Sequence, residues 1–159
     1  MWWRRVRYVL VLVALCAIAT CPTAKRSCTA RNEAREADQL LGYLADRITT
    51  IAHTIGKLPP TAAGPTPQPT CCDRGGTCDP DATTFAEPGW TALNFSIDGT
   101  YRYTYSYIPD PSGTSAIVRA VGDLDCDGNT SLYEIKLVLD VAAGGATVNR
   151  TWTRTSPYE

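Results

Sequence analysis

Apolar residues recur at alternating steps of four and three between Ala30 and Lys57. This spacing matches the turn of an α-helix and places the apolar residues on one continuous face. Gly56 and the pair Pro59-Pro60 are typical of a helix end. We therefore predict a long amphipathic helix whose apolar face covers a sheet, with a coiled-coil seam as the alternative. The face consists of Ala37, Leu41, Leu44, Ile48, Ile51 and Ile55, joined by Leu40 and Ala52.

Beyond Pro88 and Gly89 the pattern changes to short runs rich in β-branched and aromatic residues, which are typical of strands. Short turn sequences separate the runs and predict an antiparallel meander. The expected fold class is therefore α+β, with the N-terminal amphipathic helix packed on a four- to five-stranded antiparallel β-sheet. The predicted strands are Trp90–Ile97, Thr100–Ile108, Ser115–Gly122, Leu132–Val141 and Thr147–Arg154.

Every other residue of the second predicted strand is a tyrosine. Alternate residues of a strand point to the same face, so that face is wholly aromatic. We interpret it as a packing surface, and a strip that binds carbohydrate or a protein partner is the alternative. The tyrosines are Tyr101, Tyr103, Tyr105 and Tyr107.

The N-terminus has the features of an export or membrane element. Arg4, Arg5 and Arg7 precede a twelve-residue apolar run at positions 8–19. The run is shorter than the roughly twenty residues that span a bilayer and better fits a signal peptide, while an uncleaved anchor or lipidation at Cys21 are alternatives.

We therefore divide the chain into a signal or anchor segment (1–21), the helix (22–57), a proline-rich connection expected to be extended and exposed (58–70), and a globular β domain (71–159).

Charge is distributed unevenly along the chain. Residues 1–36 carry seven Lys/Arg against two Asp/Glu, whereas residues 37–159 carry eight against fourteen. Nucleic-acid binding needs a basic surface, so the acidic body argues against nucleic acid as a partner.

An acidic segment runs from Asp123 to Glu134 and places oxygen-bearing side chains at positions 1, 3, 5, 9 and 12 of a twelve-residue loop, with glycine at position 6. EF-hand loops bind Ca²⁺ with this spacing, because a hard cation takes six to eight oxygen ligands. The flanks are strand-like, so we predict a structural Ca²⁺ loop between two strands and not a helical sensor. A solvated polar turn is the alternative. The expected ligands are Asp123, Asp125, Asp127, Asn129 through its carbonyl, Ser131 and Glu134.

The exported body contains four cysteines: Cys71, Cys72, Cys78 and Cys126. An even number in an exported chain predicts two disulfides. Adjacent cysteines seldom bond to each other, so one of Cys71 and Cys72 is expected to join Cys78 and the other Cys126. A zinc site is the alternative.

The sequence contains no arrangement typical of an enzyme. We find no nucleophile and base at recognisable spacing and no phosphate-binding glycine loop, so a non-catalytic role is expected. His53, the single histidine, lacks a companion cluster of metal ligands and is interpreted as a surface or boundary residue.

Several stretches together resemble bacterial type IV pilin-like proteins, especially minor pilins and pseudopilins. The resemblance begins near Ala17 and covers most of the chain; it is carried by the cysteine loop at 71–78, Trp-Thr-Ala-Leu-Asn-Phe-Ser at 90–96 and Gly-Asp-Leu-Asp-Cys-Asp-Gly at 122–128. It implies a helix half in the inner membrane and laid against an antiparallel sheet. It also implies a place in the bacterial cell envelope, with the body in the periplasm or at the cell surface.

The resemblance implies a structural subunit of a type IV pilus or type II secretion filament, with other pilin-like subunits or an envelope assembly machinery as partners. The chain has neither the Gly-Phe processing site of pilins nor an acidic residue before Glu33. The alternative is therefore a membrane-anchored or lipid-anchored binding module of the envelope that uses a pilin-like fold.

Overall fold

The computed structural model describes residues 31–142 and 145–158; the predicted signal or anchor segment and the first part of the predicted helix lie outside these ranges. Within them the chain is α+β, with one long helix and one five-stranded antiparallel sheet. Its elements are α1 (residues 31–55), β1 (Ala63–Thr66), a 3₁₀ turn (Cys72–Arg74), α2 (Pro88–Leu93), β2 (Thr104–Pro109), β3 (Ser115–Gly122), β4 (Ser131–Ala142) and β5 (Gly145–Thr155).

The strands follow one another in the sheet in the order of the sequence, from β1 at one edge to β5 at the other. Buried and partly exposed residues alternate strictly along β3, because successive side chains of a strand point to opposite faces of the sheet. The register pairs Val118 of β3 with Ile135 of β4, and Ile135 with Trp152 of β5. One face of the sheet is therefore apolar and faces the core.

Helix α1 covers this apolar face, as predicted. Most of the predicted face is buried or half-buried, but Ile55, which was predicted to belong to it, is 48% exposed because it is the last residue of the helix. Tyr43 is exposed at the edge of the helix. Two ion pairs fasten the helix to β5, because Arg150 contacts Asp46 at 2.6 Å and Arg154 contacts Asp38 at 2.8 Å. No helix among the described residues has the length and apolar content needed to cross a membrane. The buried residues of α1 are Ala34, Ala37, Leu41, Leu44, Ala45, Ile48 and Ala52.

The tyrosine face is a packing surface, and its interpretation as a binding strip is wrong. All four tyrosine residues are fully buried. The Tyr107 hydroxyl donates to the Pro59 carbonyl at 2.7 Å, and the Tyr105 hydroxyl donates to Glu36 at 3.0 Å. Burial raises the pKa of these two phenols, so they stay protonated.

The prediction of a strand at Trp90–Ile97 is wrong, because α2 occupies the first part of this segment. Pro88 begins the helix, and Asn94 ends it in the left-handed conformation with φ 48°. Trp90 and Leu93 are buried at helical spacing, and the Trp90 indole donates to Thr66 Oγ1 at 2.9 Å. The alternation of Phe95 with Ile97 suggests a strand, although these residues lie in the irregular segment after α2.

The prediction that the proline-rich connection is exposed throughout is wrong, because part of it is buried. It supplies β1, which pairs with β2 through Ala63 with Tyr107 and Thr66 with Tyr105. Leu58 and Ala63 are buried in the core. Proline lacks an N–H group and fits an edge strand, which explains how a proline-rich segment can join this sheet. The sheet thus has five strands because β1 takes the place of the strand wrongly predicted at Trp90–Ile97. The strand predicted at Thr100–Ile108 is shorter in the structure, where it forms β2.

A candidate cation loop held by a disulfide

The loop between β3 and β4 brings three aspartates together. Asp123, Asp125 and Asp127 each offer a carboxylate oxygen, and these oxygens all lie within 4.8 Å of one another. Asp123 is partly buried beside the sheet, whereas Asp125 and Asp127 are exposed. The carboxylates therefore converge, as a cation site requires.

Hydrogen bonds within the loop hold two of these carboxylates in place. Asp123 accepts the backbone N–H of Asp127 at 3.1 Å and that of Gly128 at 2.9 Å. Asp127 accepts the backbone N–H of Asn129 at 2.8 Å and its side-chain amide at 3.0 Å. Gly128 has φ 94°, a conformation that favours glycine. The side chains are thus positioned by the backbone of the loop itself.

The three aspartates have no basic counter-ion among the described residues. The ion pairs there use Arg102, Arg119, Arg150 and Arg154, and none of them reaches this loop. Three anionic groups at such short range repel one another. A bound cation would relieve this repulsion, so the donor set fits a hard divalent ion.

The structure does not bring Ser131 and Glu134 to this cluster. Ser131 is buried, and its hydroxyl donates to the Gly122 carbonyl at 3.1 Å. Glu134 forms an ion pair with Arg119 at 2.5 Å, in direct register across β3 and β4. In an EF-hand a helix turns the last glutamate back over the loop, but here the chain leaves as a strand. A strand rises about 3.3 Å per residue, which carries Glu134 roughly 10 Å away from the start of β4. Of the predicted EF-hand ligands, the structure therefore brings together only those in the first half of the twelve-residue loop.

Both predicted disulfides are present, and the structure pairs Cys71 with Cys78 and Cys72 with Cys126. The second bridge joins residues 54 positions apart and attaches the acidic loop to the 3₁₀ turn. The Asp123 carbonyl oxygen lies 2.9 Å from the Cys72 sulfur, so the bridge contacts the first residue of the loop. A zinc site at these cysteines is not supported, because their sulfurs are consumed by the bridges.

A polar cleft of about 810 Å³ lies between α1 and residues 96–102. Glu36 lies in its wall, accepts the backbone N–H of Arg102 at 2.9 Å and also contacts the Arg102 guanidinium at 3.8 Å. Burial raises the pKa of Glu36, and its hydrogen bonds partly oppose that shift. The sequence does not identify Glu36 as a functional residue, because it lies outside the apolar stripe of the helix. The one feature of the sequence that could have indicated its partial burial is its position directly before Ala37, a member of that stripe.

Comparisons with models of protein families, with curated proteins and with solved structures found no match for this chain.

Proposed function

We propose that the described domain is a structural, non-catalytic module whose β3–β4 loop binds Ca²⁺. The observation that carries this proposal is the convergence of three aspartate carboxylates within 4.8 Å, in a loop that a disulfide attaches to the rest of the domain. Asp123, Asp125 and Asp127 would contribute carboxylate oxygens, Asn129 would contribute its carbonyl, and water would complete the shell.

The ion pair between Glu134 and Arg119 has a consequence for affinity, because it removes the bidentate glutamate that closes an EF-hand loop. Affinity for Ca²⁺ rises with the number of charged ligands and with the rigidity of the site. We therefore expect weak binding, with a Kd of about 10⁻⁴ to 10⁻³ M, the range typical of extracellular modules. Such a site would bind Ca²⁺ outside the cell, and the bound ion would stabilise the loop.

Calorimetric titration of the oxidised full-length chain with CaCl₂ tests this proposal. We expect one binding event per chain, which Asp125→Ala abolishes. Asp140→Ala is the matched control, because Asp140 is an exposed aspartate at the far end of β4. Equal binding by the parent and by Asp125→Ala would refute a site at this loop.

We further propose that the chain is a pilin-like subunit, a minor pilin or pseudopilin, of a type IV pilus or type II secretion filament. The support is architectural: a long helix buried along one stripe lies on an antiparallel sheet, and a basic and apolar segment precedes it in the sequence. The two disulfides fit an oxidising compartment outside the cytoplasm.

The polar cleft favours the second candidate, an anchored binding module of the envelope. Tyr43 is 45% exposed there and offers an aromatic surface beside the polar groups of Gln39, Asp98 and Arg102. Concave sites that combine an aromatic surface with convergent polar groups are typical of small-ligand binding. In this candidate the chain would act outside any filament.

Mass spectrometry of the mature N-terminus separates the two candidates. The protein would be purified from the membrane fraction and from the shed-filament fraction of its host. A species in the filament fraction that retains residues 8–19 would support the filament subunit. A chain that begins at Thr20 or at a lipidated Cys21, found outside that fraction, would support the anchored module instead.

A further inference from the structure

The two edges of the sheet differ in how they resist pairing with another strand. β1 is a four-residue strand with Pro65 inside it and a register irregularity against β2. Short strands, proline and irregular pairing are devices that protect an edge. β5 is an eleven-residue strand without proline. It lacks all three devices.

In the part of the chain that the structure describes, the outer edge of β5 is unpaired along its whole length. All eleven residues, Gly145 to Thr155, pair with β4 on one side, and β5 is the last strand in the sheet order. None of these residues is buried. Across residues 31–142 and 145–158, no segment pairs with the other side of β5. About half of the N–H and C=O groups of such an edge strand point away from the sheet.

The charge on β5 lies on the face of the strand that α1 covers. The two arginines Arg150 and Arg154 turn towards α1, where Asp46 and Asp38 hold them at 2.6 and 2.8 Å. On the opposite face of the sheet β5 presents only small neutral side chains. These are Thr147, Asn149, Thr151, Thr153 and Thr155.

We propose that β5 is a docking surface for a second copy of this chain and pairs antiparallel with β5 of that copy about a two-fold axis at Thr151. This register places Thr151 opposite Thr151, Asn149 opposite Thr153, and Thr147 opposite Thr155. It places Arg150 opposite Trp152, which is 37% exposed and already carries the Arg154 guanidinium 4.9 Å from its ring centre. Threonine pairs and cation–aromatic pairs stabilise neighbouring strands.

The sequence of β5 itself favours a second copy as the occupant. In the register centred on Thr151 no like charges face each other, whereas a centre at Arg150 would place arginine against arginine. A two-fold contact needs a patch that complements itself, and this register provides one. The result is a continuous ten-stranded sheet across two copies, and this inference stands independently of the filament and of the Ca²⁺ loop.

Cysteine cross-linking tests the proposed register in the full-length oxidised chain. Cys16, Cys21 and Cys28 are first replaced by Ser, so that the disulfide-bonded cysteines are the only others present. Thr151→Cys in this background should give a disulfide-linked dimer on non-reducing gels, because directly opposite residues lie about 4.5–5.5 Å apart. Thr147→Cys is the matched control. In this register the residues at position 147 of the two copies would lie about 27 Å apart, so this variant should form no disulfide-linked dimer.

Two further results sharpen the test. An equimolar mixture of Thr147→Cys and Thr155→Cys should form the mixed dimer. Trp152→Lys, which places lysine opposite arginine twice, should weaken the dimer about tenfold in sedimentation equilibrium. A monomer at all concentrations, equal cross-linking at positions 147 and 151, or pairing with residues 1–30 or another protein in place of a second copy would overturn the proposal.

Discussion

The interface between α1 and the sheet and the loop between β3 and β4 are held by different kinds of interaction. The interface consists of apolar residues of the helix and sheet that are almost all fully buried. The loop is largely exposed and is held by a disulfide, by its own backbone hydrogen bonds and, as we propose, by Ca²⁺. The first region is maintained by burial, which needs many residues, whereas the second depends on a few groups. Damage to the loop should therefore leave the interface intact.

The largest expected effect is loss of the disulfide that attaches the loop to the 3₁₀ turn. Replacing Cys72 and Cys126 together by Ser should lower the free energy of unfolding by about 4 kcal/mol, because the bridge closes a long loop in the unfolded chain. Replacing Cys71 and Cys78, which are seven positions apart, should cost only about 2.5 kcal/mol. Denaturant unfolding of both variants measures the difference. Equal losses would show that loop length does not govern the effect.

Leu44→Ala should lower the free energy of unfolding by about 3 kcal/mol, because it leaves a cavity between α1 and the sheet. Gln39→Ala on the same helix is the control and should change stability by less than about 0.5 kcal/mol, since Gln39 is exposed. Urea unfolding curves provide the values. A loss as small as that of the control would mean that α1 is not part of the core.

Ca²⁺ at about a hundredfold excess over its Kd should raise the free energy of unfolding by about 2.7 kcal/mol. In Asp125→Ala most of this gain should disappear, while stability without Ca²⁺ changes little because Asp125 is exposed. The measurement is denaturant unfolding with CaCl₂ and with EGTA. If EGTA destabilises the parent and Asp125→Ala equally, the stabilising ion is bound elsewhere.

The smallest expected effect concerns Glu36, at the cleft beside the interface. Burial raises its folded-state pKa above the ordinary value of 4.5, so the folded protein holds this proton more tightly than the unfolded chain does. Protonated Glu36 therefore adds to the free energy of unfolding. This contribution is complete below the pKa of the unfolded chain and is lost as the pH rises through the pKa of the folded protein. Unfolding free energies measured from about pH 4 upwards should therefore fall less steeply in Glu36→Gln than in the parent. Identical pH profiles would contradict a raised pKa.

The same contrast explains what could be predicted from the sequence. The spacing of apolar residues predicted the face of α1, and a run rich in β-branched residues between turn sequences predicted β3 at its observed bounds, Ser115–Gly122. The cysteine count predicted the bridges, and the structure resolved which of Cys71 and Cys72 pairs with Cys126. In each case the signal is repeated along the chain or limited to a few combinations.

The misread elements depend on contacts between distant residues. The helix α2 is short, and it is held by Trp90 packing and by the hydrogen bond to Thr66, which spacing alone does not reveal. The strand β1 forms because β2 offers an edge to a segment rich in proline. Glu134 occupies the correct position in the sequence for a twelve-residue loop, but the pairing of β3 with β4 places it opposite Arg119, with which it forms an ion pair. A linear motif could not include these competing partners.

Hydrogen exchange of the full-length oxidised chain, with and without saturating CaCl₂, tests most directly whether the loop is a separately stabilised cation site. We predict that Ca²⁺ slows exchange of the amides at 123–130, of those in the cysteine loop at 71–78 and of core amides that open only by global unfolding. Amides far from the loop that open locally should keep their rates. Unchanged exchange at 123–130, or equal slowing throughout the domain, would contradict the proposal of a local Ca²⁺ site.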